Sequence, residues 1–160
     1  MTLPSDTIAE QSQTSATGEI VTFSRGPLGF EDYHRFTLQR DAGWAPLCRL
    51  QSLDDRSLSF VLAPPRLFQP RYTFVLDPLE ISELGECRAE EIEVWAIVTM
   101  PEDPSETSMN LQGPILINRR NHQAKQIVLG RSEYPTRYRI FASESELETV
   151  WDECLTDDVI

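Results

Sequence analysis

Asn110-Leu111-Gln112-Gly113-Pro114-Ile115-Leu116-Ile117-Asn118 is followed at short range by Ala124-Lys125-Gln126-Ile127-Val128-Leu129. Two apolar, β-prone runs flank the polar linker from Arg119 to Gln123. That order predicts a strand, a turn and a second strand. The pair carries no nucleophile, general base or set of metal ligands, so it reads as framework. A chain whose best-marked segment is a strand pair is expected to be built largely of strands.

The segments upstream agree. Ile20-Val21-Thr22-Phe23 alternates loosely and stops at Ser24-Arg25-Gly26-Pro27-Leu28-Gly29, a turn by its Gly and Pro content. His34 to Leu38 alternates, with Phe36 and Leu38 on one face. Leu47–Leu53 and Leu58–Leu62 predict a strand pair around the turn Asp54-Asp55-Arg56-Ser57. Pro64-Pro65 stops the second of these, and Tyr72–Leu76 predicts another strand. After Asp77-Pro78, the loose spacing of Leu79, Ile81 and Leu84 suits a short helix or an irregular turn. Glu91–Met100 predicts the longest strand, with Ile92, Val94 and Ala96 on one face and Trp95 and Ile97 on the other. Pro101–Glu106 reads as an acidic loop and Arg137–Phe141 as a last strand.

The ends differ from the middle. Residues 1–18 are rich in Ser, Thr and Gln and poor in large apolar residues, which predicts a disordered leader. From Ser143 onward, Leu147, Val150 and Trp151 recur at i, i+3 and i+4 behind acidic residues suited to a helix N-terminus. The expected organisation is a leader (1–18), one β domain (19–141) and a short acidic helix with a frayed end (142–160). The fold class is all-β, mainly antiparallel: a small barrel-like single domain.

The 160 residues suffice for one hydrophobic core, and 40% apolar with 25% charged residues is the composition of a globular protein. The formal net charge is -12. A chain this acidic is repelled by phosphate backbones, so no direct nucleic-acid binding is expected. A basic protein is its natural complement; simple solubility is the competing reading. Acids crowd between Asp77 and Glu106 and again from Glu144 onward. Arg119, Arg120, Lys125, Arg131, Arg137 and Arg139 lie between these blocks. This predicts a negative face and a smaller positive one, or a surface that neutralises itself. The negative face would steer a basic partner.

Cys48, Cys87 and Cys154 are odd in number and far apart, with no C-x-x-C, and no basic-then-apolar signal opens the chain. Free thiols in a reducing cytoplasm are expected. No apolar run approaches the ~20 residues that span a bilayer. His34 and His122 have no metal spacing, and there is no P-loop, G-x-G-x-x-G or G-x-S-x-G. The expectation is a protein that is not an enzyme and takes no cofactor or metal. A hydrolase built on Cys48 or His34 is the catalytic competitor and would need a perturbed thiol in an open cleft.

Taken in order, several pieces resemble the FliW family of flagellar assembly factors. They are Gly26-Pro27-Leu28-Gly29-Phe30-Glu31, Leu50-Gln51-Ser52 with Leu58-Ser59-Phe60-Val61, Pro64-Pro65, Tyr72, and the strand pair Asn110–Asn118 with Ala124–Leu129. They cover about Ile20 to Phe141. Family members usually carry Gly-Leu-Pro-Gly-Phe, whereas here Pro27 precedes Leu28; this changes the turn and not the fold. The resemblance implies a cytoplasmic, barrel-like, non-enzymatic protein with two partners, flagellin and CsrA. Flagellin is bound before export. The freed protein binds CsrA, an RNA-binding repressor of flagellin synthesis, beside its RNA site, and translation resumes. An acidic surface docked there repels the RNA backbone within about 8 Å, the Debye length at physiological salt.

The densest acidic block near a predicted strand supplies the candidate CsrA contacts: Glu83, Glu86, Glu90, Glu91 and Glu93. A flagellin segment needs an apolar groove or a free strand edge. Phe30, Leu111, Pro114 and Ile115, apolar residues beside turns, are the candidate flagellin contacts, with core packing the competing role for Ile115 and Phe30. An acidic barrel chaperone or regulator with a different protein partner fits the same charge pattern.

Overall fold

The computed structural model describes residues 18–40, 43, 45–85, 87–130 and 134–140. The expected leader, apart from Gly18, and the expected acidic C-terminal helix lie outside the described residues. The described chain forms β1 (Gly18–Phe23), β2 (Arg35–Arg40), β3 (Cys48–Ser52), β4 (Ser59–Ala63), α1 (Pro78–Glu83), β5 (Ile92–Thr99), β6 (Ser108–Met109), β7 (Ile115–Asn118), β8 (Gln123–Gln126) and β9 (Tyr138–Arg139).

Seven strands close into a ring in the order β1-β2-β3-β4-β5-β7-β8 and back to β1. Closure matters because it leaves the ring without a long unpaired edge. Every pairing is antiparallel except β1 with β8, where Thr22 faces Gln123 and Phe23 faces Ala124. That parallel seam is short and is extended by the Thr22 amide donating to the His122 carbonyl (3.0 Å) and the Leu28 amide donating to Gln126 Oε1 (2.8 Å). β5 gives Ile92–Trp95 to β7 and Val98–Thr99 to β6, so β6 and β9 form a flap on one wall.

Alternation along the strands fills the lumen. Val21, Phe23, Phe36, Leu38, Leu50, Leu62, Trp95, Ile115 and Ile117 form one buried cluster, with Phe23 and Phe36 edge to face at 5.3 Å between centroids. The opposite face of β5 is covered as well. Ala96 and Val98 pack with Ala63, Tyr72, Met109 and Leu111, and Ile92 packs with Leu84, Leu116 and Ile127. The two faces read from the sequence are therefore both core, which is why Ile92–Val98 is almost continuously apolar.

The covering layer is residues 64–84. It begins with a 3-10 turn at Pro65–Leu67 and ends with α1. Asp77 caps α1 by accepting from the Leu79 amide (2.9 Å), and Pro78 occupies the first helical position. Gly85, at φ +89, ends it in the left-handed region, where a Cβ would also sit 2.5 Å from the Asn121 amide nitrogen. The buried Asn118 and neighbouring Asn121 both donate to the Leu84 carbonyl (2.9 and 3.1 Å), pinning the helix end to the β7–β8 turn.

Four expectations change, the first being that the second strand of the pair is Gln123–Gln126 rather than Ala124–Leu129. Asn110–Pro114 is a turn rather than strand, because Asn110 Oδ1 accepts from the Gln112 and Gly113 amides (3.0 and 2.9 Å) and competes with ladder pairing. Tyr72–Leu76 keeps a strand's alternation but joins no ladder: Tyr72, Phe74 and Leu76 turn inward while Thr73 and Val75 face out. The last strand contracts to Tyr138–Arg139, and its partner β6 was not expected.

Candidate partner-binding surface

The acidic and basic blocks, far apart in sequence, are neighbours in the fold because β5, β7 and β8 run side by side. Lys125, whose side chain is 16% exposed, pairs with Glu80 (3.1 Å) and Glu83 of α1. Glu91 accepts from the Arg88 amide (2.8 Å) and lies 3.7 Å from Arg120, while Arg119 donates to the Glu91 and Glu90 carbonyls. Glu93 holds Arg40 through both oxygens (3.1 and 3.2 Å) and accepts from the Trp95 indole (3.2 Å). The Arg40 guanidinium lies 5.5 Å from the Trp95 ring centre.

Of the five acidic candidates, Glu83, Glu91 and Glu93 are thus engaged by cations. Glu90 is exposed and its carboxylate has no ion pair among the described residues. Glu86 lies outside the described residues. The described residues hold 13 cations and 14 acids, within one unit of neutral, so most of the net charge of -12 belongs to the rest of the chain. Over 77–106 the described Glu80, Glu83, Glu91, Glu93 and Glu106 meet cations, whereas Asp77, Glu90, Glu102 and Asp103 have no ion pair among the described residues, so the expected negative face is neutralised in part.

Among the apolar candidates, Leu111, Pro114 and Ile115 are buried and serve the core. Phe30 reaches the surface at 36% exposure, its ring edge-on to Phe60 (5.4 Å) and Tyr33 (6.1 Å). The sequence reading missed a more open apolar region, the covering layer. Val75 is 93% exposed and Leu79 69%, and Val128 emerges between Ile127 and Leu129, which pack with Phe74 and Leu76. Among the described residues, the backbone amides and carbonyls of Phe74 and Val75 have no hydrogen-bond partner. Strand-like alternation, backbone unpaired among the described residues and exposed apolar side chains are the features by which an open strand edge accepts an added strand. The signal was present in the sequence as a β-prone run; its lack of a partner was not.

The described residues contain no group of three His, Cys, Asp or Glu fit to hold a metal ion. Burial pushes the Cys48 thiol up to about 11, keeping it protonated at neutral pH. Cys48 starts β3 and pairs with Arg40 at the end of β2, whereas His34 precedes β2 and lies near the Phe23 carbonyl (2.9 Å) at the opposite end of the barrel. The two do not meet as a dyad. No helix among the described residues is long and apolar enough to cross a membrane.

The FliW protein family model matches residues 6–140, and a flagellar assembly factor FliW of Treponema pallidum is 39% identical over 135 residues, covering 84% of this chain and 89% of that one. The chain belongs to the FliW family. A Bacillus pumilus flagellar assembly factor FliW is 35% identical over 79% of this chain and 88% of its own length. A crystal structure of the flagellar assembly factor FliW aligns with a TM-score of 0.72 at 31% identity, covering 78% of this chain and 87% of that one. The closed barrel is thus the FliW fold, and these relatives are named as assembly factors rather than enzymes. The FliW match ends at the last described residue, Ile140, leaving residues 141–160 beyond it.

Proposed function

We propose that this chain is a cytoplasmic flagellar assembly factor that binds flagellin before export. When free of flagellin, it binds and antagonises the translational regulator CsrA. It acts by mutually exclusive binding, with no catalytic step. The observation that carries the reading is the FliW match across the whole described barrel. Two features of the surface support the reading. The unpaired run Phe74–Val75 with exposed Val75 and Leu79 suits an extended or amphipathic flagellin segment, and Phe30 offers a second apolar contact. Toward CsrA, Glu90 presents an exposed carboxylate with no ion pair among the described residues, and Glu83 one that is more than half exposed beside Lys125. Glu86 lies between them in sequence, and Glu91 follows Glu90. Glu93 supports this end of the barrel through Arg40.

Calorimetric titration with flagellin and, separately, with CsrA tests the reading. Micromolar or tighter binding to each, with the CsrA affinity falling as salt rises, is the expected result. Absence of binding to both would leave a FliW fold serving another protein partner.

A further inference from the structure

The covering layer carries a run that is complementary to itself. Pro70-Arg71-Tyr72-Thr73-Phe74-Val75-Leu76-Asp77-Pro78 is bounded by prolines equally far from its central Phe74. Between them every second side chain points outward. Arg71, Thr73, Val75 and Asp77 are exposed, while Tyr72, Phe74 and Leu76 turn into the core clusters. Turned end for end about Phe74, the outward row sets Arg71 opposite Asp77 at both ends, with Thr73 opposite Val75 between them.

The backbone is open along the edge that such a pairing uses. The Thr73 amide donates to Tyr134 Oη (2.9 Å). Successive amides of an extended chain point to opposite edges, so the Phe74 amide points away from Tyr134. The amides and carbonyls of Phe74, Val75 and Leu76 have no hydrogen-bond partner among the described residues. Backbone groups without a protein partner are met by water rather than buried. The run is also held extended from both ends: Tyr72 Oη donates to the Leu111 carbonyl (2.7 Å), and Asp77 caps α1. The edge is therefore formed before any second strand arrives, which lowers the cost of pairing.

We propose that this edge pairs with the same edge of a second copy of the chain, antiparallel about a two-fold axis at Phe74. The Phe74 amide and carbonyl exchange two hydrogen bonds with Phe74 of the second copy. Arg71 meets Asp77 of the second copy, the reverse pair forms at the other end, and Val75, 93% exposed in the single chain, gains Thr73 as its cross-strand neighbour. A slip of two residues in either direction loses both ion pairs, which fixes the register. A contact this short is weak, so the pairing depends on concentration. Self-pairing competes with any other strand for this edge, and the inference does not depend on which proteins the barrel serves.

Sedimentation equilibrium of the full chain at low salt tests it. Between about 10 µM and about 1 mM the weight-average mass is expected to climb from 18.3 kDa toward twice that value. Arg71→Glu sets like charges opposite each other at both ends and should raise the dissociation constant at least about tenfold, as should Asp77→Lys. An equimolar mixture of the two variants is opposite in charge at both ends and should regain the association as a mixed dimer. Arg56→Glu, a reversal on the β3–β4 turn, should change nothing. A mass that stays at 18.3 kDa over the whole range would overturn the proposal and leave the edge to a different protein. Association that Arg71→Glu leaves unaltered would assign it to another surface and equally overturn it, as would a mixture of folded variants that associates no better than its components. Because Asp77 also caps α1, Asp77→Lys could fail to fold; the parent and Arg71→Glu then decide, since the Arg71 side chain bonds nothing among the described residues.

Discussion

The barrel wall and the layer laid over it are made of similar residues and behave as opposites. In the wall, each apolar side chain of β1 to β4 that points inward meets others across a lumen, and each strand has two neighbours. In the layer, Tyr72, Phe74 and Leu76 are anchored inward in the same way, yet Val75 points to solvent and the Phe74 and Val75 backbone has no neighbour among the described residues. An apolar, strand-like run is stabilising framework when its edges are paired, and leaves backbone groups open to a new neighbour when they are not.

Truncation should break the comparison most sharply. Phe36→Ala, which empties the lumen, is expected to cost about 3–5 kcal/mol in denaturant unfolding. Val75→Ala should stay within about 0.5 kcal/mol, since its side chain is already in water. Equal effects would mean the layer is core after all.

Charge reversal separates the two regions next. Glu93→Lys, which sets a cation against Arg40 and strips the Trp95 indole of its acceptor, is expected to cost about 2 kcal/mol. Glu90→Lys should leave the melting midpoint almost unchanged while weakening CsrA binding. A Glu93→Lys protein as stable as the parent would show that the Arg40 network contributes nothing.

Val75→Asp sharpens the functional half. Flagellin affinity should fall about tenfold, near 1.4 kcal/mol, in calorimetry with stability kept. Unchanged affinity would move the flagellin site elsewhere, with Phe30 next to be tested.

Lys125→Met removes the cation joining α1 to β8 and leaves Glu80 and Glu83 facing each other. A loss of about 1 kcal/mol, discounted for partial exposure, is expected in chemical denaturation. The smallest effect is a slope with pH. Burial holds the folded Cys48 thiol near 11, against an ordinary value of 9.0. The unfolded chain therefore ionises first, and stability declines between about pH 9 and 11 while being unaffected below. Cys48→Ala should flatten that part of the alkaline limb; an unchanged limb would assign it to other groups.

Local pattern carried much of the fold. The β3–β4 pair was legible because its two runs are separated by a short turn whose Ser52 and Asp55 side chains bond nearby amides. The α1 region was legible from Asp77-Pro78 and loose apolar spacing. Asn110–Pro114 misled because apolar content does not reveal that the Asn110 side chain captures the backbone. β6 and β9 are two residues each and carry too little pattern to stand out. Of the candidate residues, Phe30 was read with core packing as its competing role and reaches the surface at 36% exposure, and Glu90, read as part of an acidic block near a strand, is exposed. Leu111 and Ile115 look much like Val75 in sequence, and burial alone separates them.

What the residues determined by themselves is local: β-rich class, turn positions, the absence of a recognised catalytic motif, and the resemblance to FliW, all of which depend on near neighbours along the chain. What the tertiary structure alone decided is non-local. It closed the ring through a parallel β1–β8 seam between segments about a hundred residues apart. It set Lys125 of β8 between Glu80 and Glu83 of α1, so that part of an acidic block is neutralised by a residue of a basic block distant in sequence. It also left the Phe74–Val75 backbone without a hydrogen-bond partner among the described residues. Pairing and neutralisation depend on which strands end up side by side, and that neighbour relation is written in the packing of the whole chain rather than in any stretch of it.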